Sequence, residues 1–335
     1  MKKKLFIVFS LVGFSIFLFG VYQFVKFNKD VGEFANPLSK EKKQEEKKDE
    51  LPKQDLKVSK DKMFHVLLLG IDRRHKSETS FRTDVMILVS VNQSKKKVTF
   101  TSVPRDLWVN HGRINAVFVG DGWEGMQNAF EAITGFKPEA YIQCDFEDLV
   151  WIVDSMGGVE VDLGNNFTDA QYPNDSTKTY MTVSYPSGKQ LIDGENALIL
   201  SRSRHGNNGE GSDFKRMQRQ HKILKALPEA ILAPKSLFNP FNLKKFYDMV
   251  TSHMVTNLSV DDVQVLWDYY PHRSEYTVES FYVNSDFLIN PPMSEYGGAW
   301  VLIPKNNDYT PIHTALKEKL GLIEPTKSET PEAPK

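Results

Sequence analysis

Two blocks of this chain carry the residue types that handle phosphate. The first is Phe81-Arg82-Thr83-Asp84, with Asp72 twelve residues before Asp84 and Val103-Pro104-Arg105-Asp106 shortly after. Carboxylates at these positions can hold a hard cation, and guanidinium groups donate paired hydrogen bonds to phosphate while keeping their charge. The second block is Arg202-Ser203-Arg204 followed by Asp213-Phe214-Lys215-Arg216-Met217-Gln218-Arg219-Gln220. One exposed Arg–Asp pair is worth little and signifies little. Turn chemistry accounts for an aspartate, but not for an arginine at each of two neighbouring strand ends, so the two blocks together point to a pyrophosphate site.

The elements that must position these groups follow from hydrophobic patterning. Residues 64–70 form a nearly continuous apolar run closed by Gly70, which reads as a buried strand feeding a turn. Residues 85–91 and 98–103 are two more strands, joined as a hairpin through Asn92-Gln93-Ser94-Lys95-Lys96-Lys97. Helical spacing appears in Met126, Ala129, Phe130 and Ile133 before Gly135, and again in Phe146, Leu149, Val150 and Val153 before Gly157-Gly158 and a strand at 159–163. The interleaving predicts a layered α/β (α+β) domain with helices flanking a central mixed sheet. Asp72 then follows the first strand, Arg82 and Asp84 precede the second, and Arg105-Asp106 follow the third.

For the second block, Asp193 is the expected N-cap of a helix that ends before Arg204, because Arg202 and Arg204 share a face only in extended chain. The glycine-rich stretch 205–212 lacks the lysine and helix register of a nucleotide P-loop. Ser212 or Asp213 caps the next helix, on which Asp213, Arg216, Arg219 and Gln220 form one polar stripe. Phe214, Met217, His221 and Leu224 form the neighbouring stripe and are expected to face the core.

Lys and Arg number 42 against 43 Asp and Glu, for a net charge of −1, so nothing favours a nucleic-acid partner and the clustered arginines are building a site. A single cysteine, Cys144, excludes an intrachain disulfide and a multi-cysteine zinc site. Residues 5–25 carry no charge and match the roughly 30 Å of a bilayer core as a helix, without a small-x-small cleavage site. Residues 1–27 are therefore expected to be a short cytoplasmic tail plus a signal anchor in the cell membrane, leaving an extracytoplasmic C-terminal part. Residues 28–62 are a Lys/Glu-rich linker and 324–335 an unstructured tail.

The series Gly70-Ile71-Asp72-Arg73, Phe81-Arg82-Thr83-Asp84, Ser102-Val103-Pro104-Arg105-Asp106, Arg113-Ile114-Asn115-Ala116, Gly157-Gly158-Val159-Glu160-Val161-Asp162, Gly188-Lys189-Gln190-Leu191-Ile192-Asp193-Gly194, Arg202-Ser203-Arg204 and Asp213 to Gln220 resembles the LytR-CpsA-Psr family. The likeness covers about 64–232. It implies a phosphotransferase that moves a glycopolymer, such as a teichoic acid or capsular polysaccharide, from a polyprenyl pyrophosphate carrier onto peptidoglycan as a phosphodiester. It also implies a magnesium ion, or manganese in its place, on Asp72 and Asp84. Arg82, Arg105, Arg202, Arg204, Arg216 and Gln220 would surround the phosphates, with an apolar pocket between sheet and helices for the polyprenyl tail. Arg219 joins the phosphate-binding set through its place on the polar stripe, and Arg105, Asp84 and Asp213 are the candidate catalytic groups. Residues 63–232 are thus expected to be the catalytic domain. The stretch 233–323 matches no part of the family pattern and reads as an accessory region with two helices, then strands at 276–289 and 299–303.

Overall fold

A computed structural model describes residues 63–73, 81–230 and 243–324. The expected membrane anchor, the charged linker and the tail beyond 324 lie outside the described residues. In chain order the elements are β1 (Phe64–Ile71), β2 (Thr83–Asn92), β3 (Lys97–Ser102), β4 (Trp108–Val109), β5 (Gly112–Arg113), α1 (Val117–Thr134), β6 (Ala140–Cys144), α2 (Phe146–Ser155), β7 (Val159–Leu163), β8 (Phe167–Asn174), β9 (Thr179–Tyr185), β10 (Gly188–Ile192) and α3 (Gly194–Arg202). There follow α4 (Asp213–Ala230), α5 (Leu243–His253), β11 (Val255–Thr256), α6 (Val260–Tyr269), β12 (Thr277–Tyr282), β13 (Leu288–Ile289), β14 (Ile303–Pro304) and α7 (Thr310–Lys319).

The central sheet is mixed and six-stranded, in the order β11-β6-β1-β2-β3-β12. β1, β2 and β3 pair antiparallel in sequence, whereas β6 joins β1 and β12 joins β3 in parallel. The continuous apolar run of β1 is explained by cover on both faces. Leu67 and Leu69 pack with Met86 and Leu88 of β2 against Met126, Phe130 and Ile133 of α1 and Ile312 and Leu316 of α7. Phe64 and Val66 pack on the other face with Ala140, Leu258 and Val265. A further core, built from α2, α3 and the small sheets β7–β10 and β8–β9, holds the second arginine block in place.

Local signals set the helix ends. Asp145 and Asp148 form a reciprocal capping box at the start of α2, and the Asp193 side chain accepts the Asn196 N–H at the start of α3. Gly135 ends α1 in the left-handed conformation, with φ of 76°.

The boundary expected at 232 does not divide the fold. β12 forms an edge of the central sheet in parallel with β3, β11 pairs with β6, and α7 fills the core over α1. Parallel pairing of segments some 180 residues apart leaves no mark in local sequence pattern, which is why 233–323 reads as an appendage. The strand expected over 276–289 is two short ones, β12 and β13, separated by a turn.

Candidate active site

The first carboxylate is placed by an irregularity in the sheet. Gly70 pairs with Val85, but the next residue, Ile71, pairs with Thr83, so Asp84 is an extra residue in β2 and forms a bulge. Thr83 stays on the buried side, where its hydroxyl donates to the Asn115 carbonyl at 3.2 Å. Asp84 joins Val85 and Ile87 in lining a cavity. Gly70 permits the close approach, since a Cβ there would stand 2.8 Å from the Val85 Cβ.

Arg105 follows β3 at a Pro104 corner and donates through Nη1 to Asp84 Oδ2 at 2.6 Å. Its Nε reaches Asp106 Oδ2 at 3.4 Å, and Arg113 Nε lies 3.5 Å from Asp106 Oδ1. Burial alone would lower the Arg105 pKa, but Asp84, Asp106 and Asp213 outweigh it and raise the pKa above its ordinary value. Asn115 Nδ2 approaches Asp84 Oδ1 at 3.5 Å.

The second arginine block is positioned by a residue that the sequence does not single out. α3 stops at Arg202, where Ser203 turns to extended backbone with ψ of 133°. The buried Asp169 carboxylate ties the turn together, accepting from Ser203 Oγ at 2.6 Å, Arg204 N at 3.3 Å and His205 N at 3.2 Å. Burial opposes its charge, yet these bonds and one from Gln171 N hold the carboxyl below the usual carboxylate range. An aspartate in a short polar strand gives no signal of this role. Arg202 donates to Asp175 Oδ2 at 2.9 Å and to the Tyr172 hydroxyl at 3.2 Å, with its guanidinium 4.3 Å from the Phe146 ring centroid.

α4 supplies the rest. Ser212 Oγ accepts the Lys215 N–H at the helix start. Arg216 is 7% exposed, its Nη1 lies 3.1 Å from Asp213 Oδ1, and its buried Nε has no hydrogen-bond partner. Burial lowers its pKa, the Asp213 carboxylate opposes this, and the neighbouring Arg204 and Arg105 charges lower it further. Gln220 donates to the Ser201 carbonyl at 2.9 Å. Both expected stripes of α4 are largely enclosed, because the polar one faces the arginine block rather than solvent.

Arg219 departs from the expectation. It donates to the carbonyls of Leu200, Ser203 and Glu210 and to Glu210 Oε2 at 2.9 Å, and lies over the Phe167 ring. All of this holds the 200–210 segment, and Arg219 does not line the cavity. Arg82 is exposed beside Asp72, to which its carbonyl is bonded at 3.0 Å, and is also outside the lining.

The cavity has a volume of about 610 Å³. Asp72, Asp84, Arg202, Arg204, Arg216 and Gln220 line one part of it, and Ile142, Leu149, Ile152, Leu227, Val250 and Leu266 line another. Arg216 and Leu227, eleven positions apart on α4, are separated by about 16 Å, so the space runs from a charged end to an apolar one. A buried guanidinium with an unused donor at one end and a greasy channel at the other suit an amphiphile with an anionic head.

The family model for LytR_cpsA_psr matches residues 21–318. The chain belongs to the LytR_cpsA_psr family. One relative is biofilm regulatory protein A of Streptococcus mutans, 28% identical over 274 residues, covering 77% of this chain and 64% of the relative. Another is the polyisoprenyl-teichoic acid–peptidoglycan teichoic acid transferase TagU of Enterococcus faecalis, 28% identical over 219 residues, covering 63% of this chain and 67% of the relative. The chain thus spans about two thirds of the length of these two curated relatives. Among solved structures, TagT bound to LIIa-WTA superimposes with a TM-score of 0.58 at 23% identity, over 78% of this chain and 92% of that one. This last likeness is one of fold, and the mixed sheet with flanking helices described above is the fold of LytR_cpsA_psr proteins.

Proposed function

We propose that this LytR_cpsA_psr protein is a membrane-anchored, extracytoplasmic phosphotransferase that moves a teichoic-acid or capsular type of glycopolymer from polyprenyl pyrophosphate onto peptidoglycan. The observation that carries the reading is the continuity of the cavity from the guanidinium cluster at Arg202, Arg204 and Arg216 into an apolar channel. The teichoic acid transferase activity named for the TagU relative supports the choice of substrates.

An acceptor hydroxyl attacks the sugar-bearing phosphorus, a new P–O bond forms, and the bond to the bridging oxygen breaks. Polyprenyl phosphate leaves with the electron pair and the glycopolymer remains as a phosphodiester. Such a transfer asks the protein mainly to position groups and to neutralise charge on non-bridging and leaving oxygens. Arg216 meets the head with its unused Nε, and Arg202 and Arg204 flank it. The hydroxyl proton needs a carboxylate, and Asp213 has side-chain exposure of 47% beside Arg216 and Arg204. Asp84 is engaged by Arg105, which orients it.

Asp72 and Asp84 fit a magnesium ion, which takes one or two carboxylates and completes its shell with water and substrate phosphate. No cluster of three or more His, Cys, Asp or Glu stands among the described residues, so the pair suits an ion shared with the substrate rather than an all-protein cage. When bound, the ion would neutralise phosphate charge.

The full-length chain, given a polyprenyl-pyrophosphate glycan, magnesium and a peptidoglycan oligomer, should form covalent glycan–oligomer detectable by mass spectrometry. Arg105→Ala and Asp84→Ala should abolish it. Tight donor binding without product would leave a carrier-binding protein, and free glycan phosphate would mean hydrolysis.

A further inference from the structure

Trp300 is 46% exposed on a loop directly beside the Arg105 corner, in a position the fold takes trouble to fix. Pairing of Leu288 with Pro304 and Ile289 with Ile303 closes the base of loop 290–302, and Asn290 Nδ2 donates to the Val301 carbonyl at 2.6 Å. Inside the loop, Gly298 N bonds the Met293 carbonyl at 2.9 Å and Ala299 N bonds the Tyr296 carbonyl at 3.0 Å. The outer edge is zipped to the segment after Arg105, with Leu302 N on the Asp106 carbonyl at 2.9 Å and Trp108 N on the Leu302 carbonyl at 2.8 Å. Arg113 Nη2 donates to the Trp300 carbonyl at 2.9 Å. A chain of polar contacts therefore runs from Trp300 through Arg113, Asp106 and Arg105 to Asp84. Tyr296, from the same loop, packs edge-on against Trp108 with ring centroids 5.2 Å apart.

A single exposed aliphatic residue needs no explanation, but tryptophan carries the largest apolar surface and is usually covered. Here a hydrogen-bonded loop presents one, carries Tyr296 packed on Trp108, and is tied at the Trp300 carbonyl to Arg113, which faces Asp106. That combination fits a pyranose, whose C–H face stacks on an aromatic ring while its equatorial hydroxyls meet donors and acceptors at the rim. No residue of loop 290–302 lines the donor cavity, and neither does Arg105. A substrate that meets Asp84 and Arg105 from this side is the second one.

We propose that Trp300, with the Tyr296–Trp108 pair beside it, forms a stacking subsite for a sugar ring of the acceptor glycan strand. The assignment to the acceptor rests on the transferase reading above. The subsite holds the strand so that its hydroxyl lies near Asp84, and Trp300 is a positioning residue that touches the saccharide at a distance from the reacting phosphorus.

The test titrates a soluble GlcNAc–MurNAc tetrasaccharide into the full-length chain by calorimetry, without donor, using wild type, Trp300→Ala and Trp300→Phe. Transfer kinetics follow on the same proteins. Trp300→Ala should weaken tetrasaccharide binding and raise the acceptor KM about five- to tenfold, leaving the donor KM unchanged. Trp300→Phe should recover most of both, which also shows that the fold tolerates the position. No tetrasaccharide binding by wild type, unchanged binding in Trp300→Ala, or an effect confined to the donor KM would each overturn the proposal. Binding lost in Trp300→Ala while wild type makes no transfer product would instead retain the subsite and sink the transferase reading.

Discussion

Arg216 and Arg219 project from adjacent turns of α4 and are 7% and 2% exposed, yet the regions around them differ. Around Arg219 the protein supplies acceptors for the whole guanidinium: three carbonyls and the Glu210 carboxylate. Around Arg216 it supplies only Asp213, leaves Nε without a partner and opens the cavity. Removing a charge from water costs several kcal/mol unless hydrogen bonds offset it. A fully satisfied buried arginine is thus a brace, whereas an under-satisfied one beside a cavity is a binding group.

The largest expected effect tests the brace. Arg219→Ala strands three carbonyls and removes one partner of the partly buried Glu210 carboxylate, which keeps Lys215 and Asn165, and should lose about 3–5 kcal/mol of stability in urea titration. Arg219→Lys should recover little, since one ammonium cannot serve diverging carbonyls. An Arg219→Ala protein of wild-type stability with selective loss of transfer would erase the distinction. Next, Arg216→Ala should lower kcat/KM for transfer about 10²- to 10³-fold, with a much smaller change in urea midpoint than Arg219→Ala. A reversed ranking of the two midpoints would break the comparison.

A third variant sharpens the cavity side. Ile152→Trp narrows the apolar end of the cavity and should weaken binding of polyprenyl pyrophosphate about tenfold, while inorganic pyrophosphate binding stays unchanged. Equal losses for both ligands would place the tail elsewhere.

The smallest effect concerns His221, the residue after Gln220 on α4. Its Nε2 is 2.7 Å from Ser102 Oγ, its ring stacks on Tyr282, and burial, aided by the Lys225 charge, lowers its pKa to about 3. The unfolded chain then takes up the proton first, so the stability contribution is present above the ordinary histidine pKa and is lost as pH falls from there towards 3. His221→Gln should make the acid limb of a stability profile between pH 7 and 4 shallower. An unchanged limb would mean that other groups dominate, among them His65, lowered by burial to about 4.

The β2–β3 hairpin, the helix start at Asp193 and the stop of α3 before Arg204 were legible because each is set by local chemistry: apolar runs, a capping carboxylate and the period of side chains. That two blocks of charged residues serve one site was legible from the residues themselves, but the grouping of Asp72, Asp84, Arg202, Arg204, Arg216 and Gln220 came from the family resemblance, and the strand-end arginines that prompted the reading, Arg82 and Arg105, do not line the cavity. The role of Arg219 was not legible, because its partners are backbone carbonyls from α3 and the 205–212 loop, and a carbonyl carries no letter in a sequence. β8 and β9 escaped notice because much of their length is exposed, as in the run from Thr179 to Thr182 where Tyr180 and Met181 both face solvent, so the alternation of a half-buried strand is missing. Asp169 was lost with them.

The bulge in β2 has a consequence for how the site can be inherited. Asp84 faces the cavity because β2 has one residue more than β1 at this point, so the instruction is written in the length of the strand as well as in the residue itself. Deleting Thr83 would place Asp84 opposite Ile71 and restore regular alternation while leaving every charged side chain of the site in the chain. Such a variant would keep every charged residue of the motif to a reader of residue identities, but its carboxylate would be turned towards the packed side of the sheet. For this site, a gap of a single position is a more severe lesion than most substitutions, and an aligned column can be fully occupied while the site is lost.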